Sequence, residues 1–184
     1  MTQRVLVSLA SIAAFVLIAQ STRAATVGMK PGLWDWSTTS MTSEVRTVIP
    51  EIGKVPAAER AQVETEMRKP VVAPERTVKD QKCVTAAMVR NWPAVTGVDQ
   101  EYAACTRKPV SQGAKAYKVV LQCGQGKTNG TIEYSVDGDR LQGKSVLISH
   151  ESTYDKTETT TIRATRLGED CGDLVPGKKP AAKK

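Results

Sequence analysis

His150 is the single histidine of the 184-residue chain, so any serine–histidine–acid relay would have to run through it. It stands beside Glu151 at the end of an alternating stretch, where a histidine is ordinarily a solvated surface residue. The chain also has no G-x-S-x-G elbow to offer a nucleophile. Asp137, Asp139, Asp155 and Glu158 could furnish a carboxylate pair for acid–base work, but acids in hairpin loops usually only solvate the turn. Gly124-Gln-Gly-Lys-Thr128 copies the end of a phosphate-binding loop. The leading Gly of that motif would fall at residue 121, which is Leu, and Asn129-Gly130 turns into a further strand where the motif needs a helix. Asn129-Gly-Thr131 fits a glycosylation acceptor by chance. One His, four Cys and no C-x-x-C pair leave a metal site short of ligands. No catalytic residue, metal or cofactor is expected, and the residues lean away from an enzyme.

The four cysteines are better read as two crosslinks. They allow three pairings, and spacing favours one. Gln112-Gly113-Ala114 reads as a turn, and a hairpin centred on residue 114 sets Cys105 opposite Cys123, within reach of a bridge. That leaves Cys83 for Cys171, tying the middle of the chain to its end. Each bridge is expected to stabilise by roughly 2–4 kcal/mol. A redox pair is disfavoured, since no basic group is placed to make a thiolate.

Disulfides require an oxidising compartment, and the first residues supply the address. Arg4 precedes the uncharged run Val5–Ala19, followed by Gln20, Ser21, Thr22, Arg23 and Ala24. A positive start, a short apolar run and small residues before a cut describe a secretory signal peptide. The run falls short of the ~20 residues that span a bilayer. Residues 1–24 are therefore expected to be a signal peptide, with cleavage after Ala24, or after Ser21 as the alternative. No Cys precedes Cys83, which excludes a lipid-modified N-terminal Cys, and the location expected is the periplasm. No transmembrane segment is expected after cleavage.

Charge points away from nucleic acid. The chain has 26 Lys+Arg against 19 Asp+Glu. The leader removes two Arg, and Lys178, Lys179, Lys183 and Lys184 lie in the tail 176–184. The body therefore holds 26 less six, or 20, basic residues against 19 acids. The high pI belongs to a tail expected to be disordered, and no basic face interleaved with aromatics is visible.

The elements follow from alternation and punctuation. Leu33–Ser40 reads as a strand with Trp34 and Trp36 on one face, and Glu44–Ile49 as a second strand. Pro56–Arg68 reads as a polar helix on a surface excursion, an insert of about 54–70. Thr77–Cys83 reads as a short strand. Thr85–Trp92 reads as a short helix, capped by Thr85 and stopped by Pro93. Ala116–Cys123, Thr131–Val136, Leu141–His150 and Thr157–Leu167 read as strands of an antiparallel meander, with Asp137-Gly138-Asp139 as one of its turns. In the last, Thr157, Thr159, Thr161 and Thr165 share a face. That stripe is ordinary for a solvated strand; an ice-like or polysaccharide-binding face would also be Thr-rich but would need several such rows. The fold expected is a mainly β, curved antiparallel sheet, half-barrel-like, with one or two short helices. It forms a single disulfide-linked domain over 25–175.

Met29-Lys-Pro-Gly-Leu-Trp-Asp-Trp-Ser-Thr-Thr39, Cys83-Val-Thr85 and Arg166-Leu-Gly-Glu-Asp-Cys-Gly172 together resemble the proteobacterial exported family catalogued as domain of unknown function three-six-one-seven. The resemblance implies a periplasmic, disulfide-linked β domain and carries over no activity or catalytic residue. A non-catalytic binding or interaction module is the leading expectation. Its candidate ligand face is Trp34 and Trp36, its partner an apolar small molecule or an envelope protein. The alternatives are an envelope hydrolase using His150 or the Asp137–Asp139 acids, and a structural or stress-related envelope protein without a small ligand.

Overall fold

The computed structural model describes residues 27–174; the expected signal peptide, 1–24, and Lys-rich tail, 176–184, lie outside them. Eight strands form one antiparallel sheet: β1 Gly32–Arg46, β2 Val71–Val72, β3 Arg76–Val84, β4 Thr106–Gln112, β5 Ala116–Cys123, β6 Thr128–Asp137, β7 Arg140–His150 and β8 Tyr154–Gly168. β4 to β8 follow one another as a meander, β1 pairs with β8, and β3 and β2 share the far side of β1. β4 is therefore one edge, and β3 with the two-residue β2 forms the other. Their charges, together with Pro109 and a bulge beside it, make both poor templates for further pairing.

Local chemistry accounts for the meander. β5 buries Tyr117, Val119 and Leu121, and β6 buries Ile132, Tyr134 and Val136, each at period two. A two-residue loop joins Asp137 to Arg140, with Gly138 at φ 58°, a conformation glycine adopts without steric cost. The phosphate-loop lookalike is the β5–β6 hairpin loop, in which Gly124, Gln125 and Gly126 all take positive φ.

Three expectations are corrected. Residues 32–46 form one 15-residue strand, not two, because nothing between Ser40 and Glu44 can turn the chain. The helices are three: α1 Arg60–Met67, α2 Trp92–Thr96 and α3 Val98–Glu101. Pro93 does not end a helix but opens α2, where its missing N–H is no loss. Thr85 does cap its turn, its Oγ1 accepting from the Met88 N–H at 3.2 Å.

The stretch from Val84 to Cys105 joins the β3 edge to the β4 edge and packs over one face of the sheet, here termed inner. It buries Val89, Trp92, Val95 and Val98 against the apolar side chains of β5–β8 and β1. Trp92 stacks against both Tyr117 and Tyr134, at 6.0 and 6.2 Å between ring centroids, and donates its indole N–H to Gly113 O at 2.7 Å. Two disulfides close the framework, Cys83–Cys171 and Cys105–Cys123. The second joins residues whose Cα atoms are 4.3 Å apart, the spacing of a directly opposed pair in an antiparallel ladder. The surface excursion carrying α1 buries none of that helix's residues.

Candidate functional site

Trp34 and Trp36 share the inner face, as alternation requires, and are 0% and 4% exposed. They belong to the core cluster with Val84, Leu141 and Ala164, so neither presents a surface to solvent. Trp34 donates its indole N–H to Lys30 O at 3.0 Å. The Trp36 N–H is buried without a partner among the described residues, while the Lys82 ammonium sits 4.9 Å from its ring centroid, a cation–π distance.

Beyond the tryptophans the inner face turns polar. Thr38, Ser40 and Thr42 of β1 lie beside Ile162, Thr160 and Glu158 of β8, all half-buried. Tyr102 borders this region, and its hydroxyl is pushed up to about 12, by burial first and then by the Glu101 charge. Burial likewise raises Tyr134 and Tyr117. These groups titrate far above neutral pH, so they cannot serve as bases there.

The residues considered for hydrolysis are dispersed. His150 Nδ1 lies 2.8 Å from Asp155 Oδ1 at the β7–β8 turn, forming a surface pair. All four cysteines are oxidised, and among the described residues no serine hydrogen-bonds to the other imidazole nitrogen. Asp139 forms an ion pair with Lys30 at 3.2 Å, linking the segment just before β1 to the β6–β7 turn. Glu158 is on the inner face, away from both. No three His, Cys, Asp or Glu residues converge as a metal site among the described residues.

On the other, outer, face a hollow of about 480 Å³ crosses β5 to β8. Register explains its composition. Lys118, Glu133, Lys144, Thr161, Thr39 and Thr77 stand opposite one another across β5, β6, β7, β8, β1 and β3. The neighbouring row is Ser135, Gln142, Arg163, Ser37 and Lys79. A second hollow of about 250 Å³, lined by Ser37, Thr39, Glu75, Thr161 and Arg163, continues the band toward β3. The first shares Thr161 and Arg163 with it. Thr39 and Thr77 are hydrogen-bonded at 2.9 Å, and the Glu133 carboxylate is paired with Lys118 at 2.5 Å. The Thr stripe read from β8 is thus one row of a broader polar lattice. Its partners on β1 are invisible to the sequence, because the two strands lie far apart in the chain.

A disulfide-framed antiparallel sheet with a polar outer band is the class of protein these features define. Residues 29–171 match the family model described as "Protein of unknown function (DUF3617)", and the chain belongs to that family. No curated protein and no solved structure matches it.

Proposed function

We propose that the chain is an exported, periplasmic binding module without catalytic machinery, and that it holds a polar, extended ligand along the outer face of its sheet. Export is supported by the leader-like residues 1–24 and by two disulfides in a chain whose described helices are none of them long and apolar enough to cross a membrane. The single observation that carries the binding reading is the in-register polar band across six strands, hollowed at two adjoining places. At ~4.8 Å per strand such a band runs roughly 24 Å, the length of an extended polymer segment rather than of one small metabolite. The apolar end of the inner face, by contrast, is filled by the chain's own Trp34, Trp36 and Trp92.

The test is amide chemical-shift mapping on the isotope-labelled mature chain, titrated with purified envelope polysaccharide. Shifts confined to outer-face residues of β5–β8 and β1 support the reading. Shifts centred on Trp36 and the 85–105 stretch would move the site to the inner face and overturn it. A hydrolase is tested separately: loss of hydrolytic activity in His150→Ala would restore that alternative.

A further inference from the structure

Resting on that outer-face reading, we infer that the ligand is an acidic polysaccharide, gripped through its carboxylates by Lys144 and Arg163. Of the band's acids, Glu133 is already engaged by Lys118 at 2.5 Å. Glu75 lines the second hollow with Arg163, but among the described residues neither Arg163 nor Lys144 has a carboxylate within ion-pair distance. Both therefore stand without an ion-pair partner, although Glu133 is the cross-strand neighbour of Lys144. Lys144 faces Thr161 directly, and Arg163 lies two residues further along the same face of β8. The two cations are thus one diagonal step apart, roughly 7–8 Å between Cα atoms; both line the first hollow, and Arg163 lines the second as well.

The neighbours of this cationic pair select the rest of the ligand. Gln142, Ser135, Ser37 and Thr161 present amide and hydroxyl groups, which serve sugar hydroxyls as donors and acceptors alike. The two rows carry no aromatic side chain, so nothing in them stacks on a base, and single-stranded nucleic acid would lack its platform. Arg163 offers the planar fork that matches a carboxylate, and Lys144 a point charge beside it. The length of the band selects a chain of sugars over a single anion.

The experiment is fluorescence polarisation of labelled oligogalacturonate with the mature, oxidised protein. Neutral dextran oligomers of equal length and anionic phospholipid vesicles serve as comparisons. The expected result is binding of oligogalacturonate alone, weakened at least tenfold in Lys144→Gln/Arg163→Gln, as loss of two charge-assisted hydrogen bonds requires. Binding should weaken further as salt is raised, since exposed charges are screened. Both side chains are at the surface, and an unchanged melting curve verifies that the variant folds. If dextran binds equally well and the variant is indifferent, the acidic class is wrong while the outer face stands. If vesicles bind and oligogalacturonate does not, a membrane surface replaces the polysaccharide. If no glycan shifts any outer-face amide, both readings fall together.

Discussion

Cys83 on the edge strand β3 is bonded to Cys171, and the strand between their attachment points is β1. Leu33 of β1 stands opposite Cys83 on one side and opposite Gly168, three residues before Cys171, on the other. This disulfide therefore secures an edge strand whose own side chains are mostly exposed. It closes a loop of 88 residues, against 18 for Cys105–Cys123. In the chain-entropy model these correspond to roughly 4.6 and roughly 3.2 kcal/mol. Cys83→Ser/Cys171→Ser should lower the urea midpoint more than Cys105→Ser/Cys123→Ser. Equal shifts would mean that β3 is held by its ladder to β1 alone.

The Cys105–Cys123 register was legible because the turn at Gly113 and the alternation of β5 are both local signals. Near the cysteines the ladder keeps the expected centre, and a bulge between Pro109 and Ser111 shifts it by one residue toward the turn. The middle of β1 was harder to read. Thr38, Ser40 and Thr42 face inward and Thr39 and Ser43 outward, so no period distinguishes the faces; strands polar on both sides specify register weakly. At one end of the β1–β8 ladder Trp36 stands opposite Ala164 and Trp34 opposite Arg166, and the buried tryptophans supply the register that the hydroxyls cannot. The inner cover was hidden for another reason. Its buried residues Val89, Trp92, Val95 and Val98 are split over three short turns by the extended Asn91 and by Gly97, and only the tertiary crossing from edge to edge unites them. Of the outer band, the sequence showed one Thr row; its other rows exist only through pairing.

Gly143 is the position on β7 where the Tyr134 ring lies over the sheet. A Cβ added there would come 2.5 Å from the ring carbons of Tyr134. The ring cannot retreat, because its other side is occupied by Trp92. Gly143→Ala should destabilise by about 1–3 kcal/mol, the usual cost of overpacking a filled core. Gly53→Ala, where a new Cβ meets nothing within 4 Å, should change stability by less than about 0.5 kcal/mol. Urea melts of the two variants make the comparison.

Trp92 should be the most sensitive core residue. It is 0% exposed, stacked against two tyrosines, and its N–H satisfies a backbone carbonyl of the β4–β5 turn. Trp92→Ala should cost about 3–5 kcal/mol. Trp92→Phe should cost less, retaining the stack while leaving Gly113 O without its donor. Since Trp34, Trp36 and Trp92 are all buried, native fluorescence should be blue-shifted and iodide should quench it only on unfolding. Quenching in the native state would show that the inner cover opens.

Alkaline stability should follow the tyrosines. The Tyr102 hydroxyl ionises near 10.0 when free and is pushed up to about 12 in the fold, by burial first and then by the Glu101 charge. Between those values the folded chain holds a proton that the unfolded chain has released, so stability falls as pH rises. The contribution is fully present below pH 10 and is lost progressively through about pH 12. Tyr134 and Tyr117 are raised in the same direction, again chiefly by burial, which steepens the loss. Phenolate absorbance at 295 nm should therefore lag behind that of free tyrosine until the sheet unfolds, and then rise cooperatively with the loss of far-UV signal. Tyr102→Phe should flatten the decline above pH 10 without altering stability's pH dependence below it. A variant whose alkaline slope matched the parent's would place the destabilising ionisation elsewhere in the molecule.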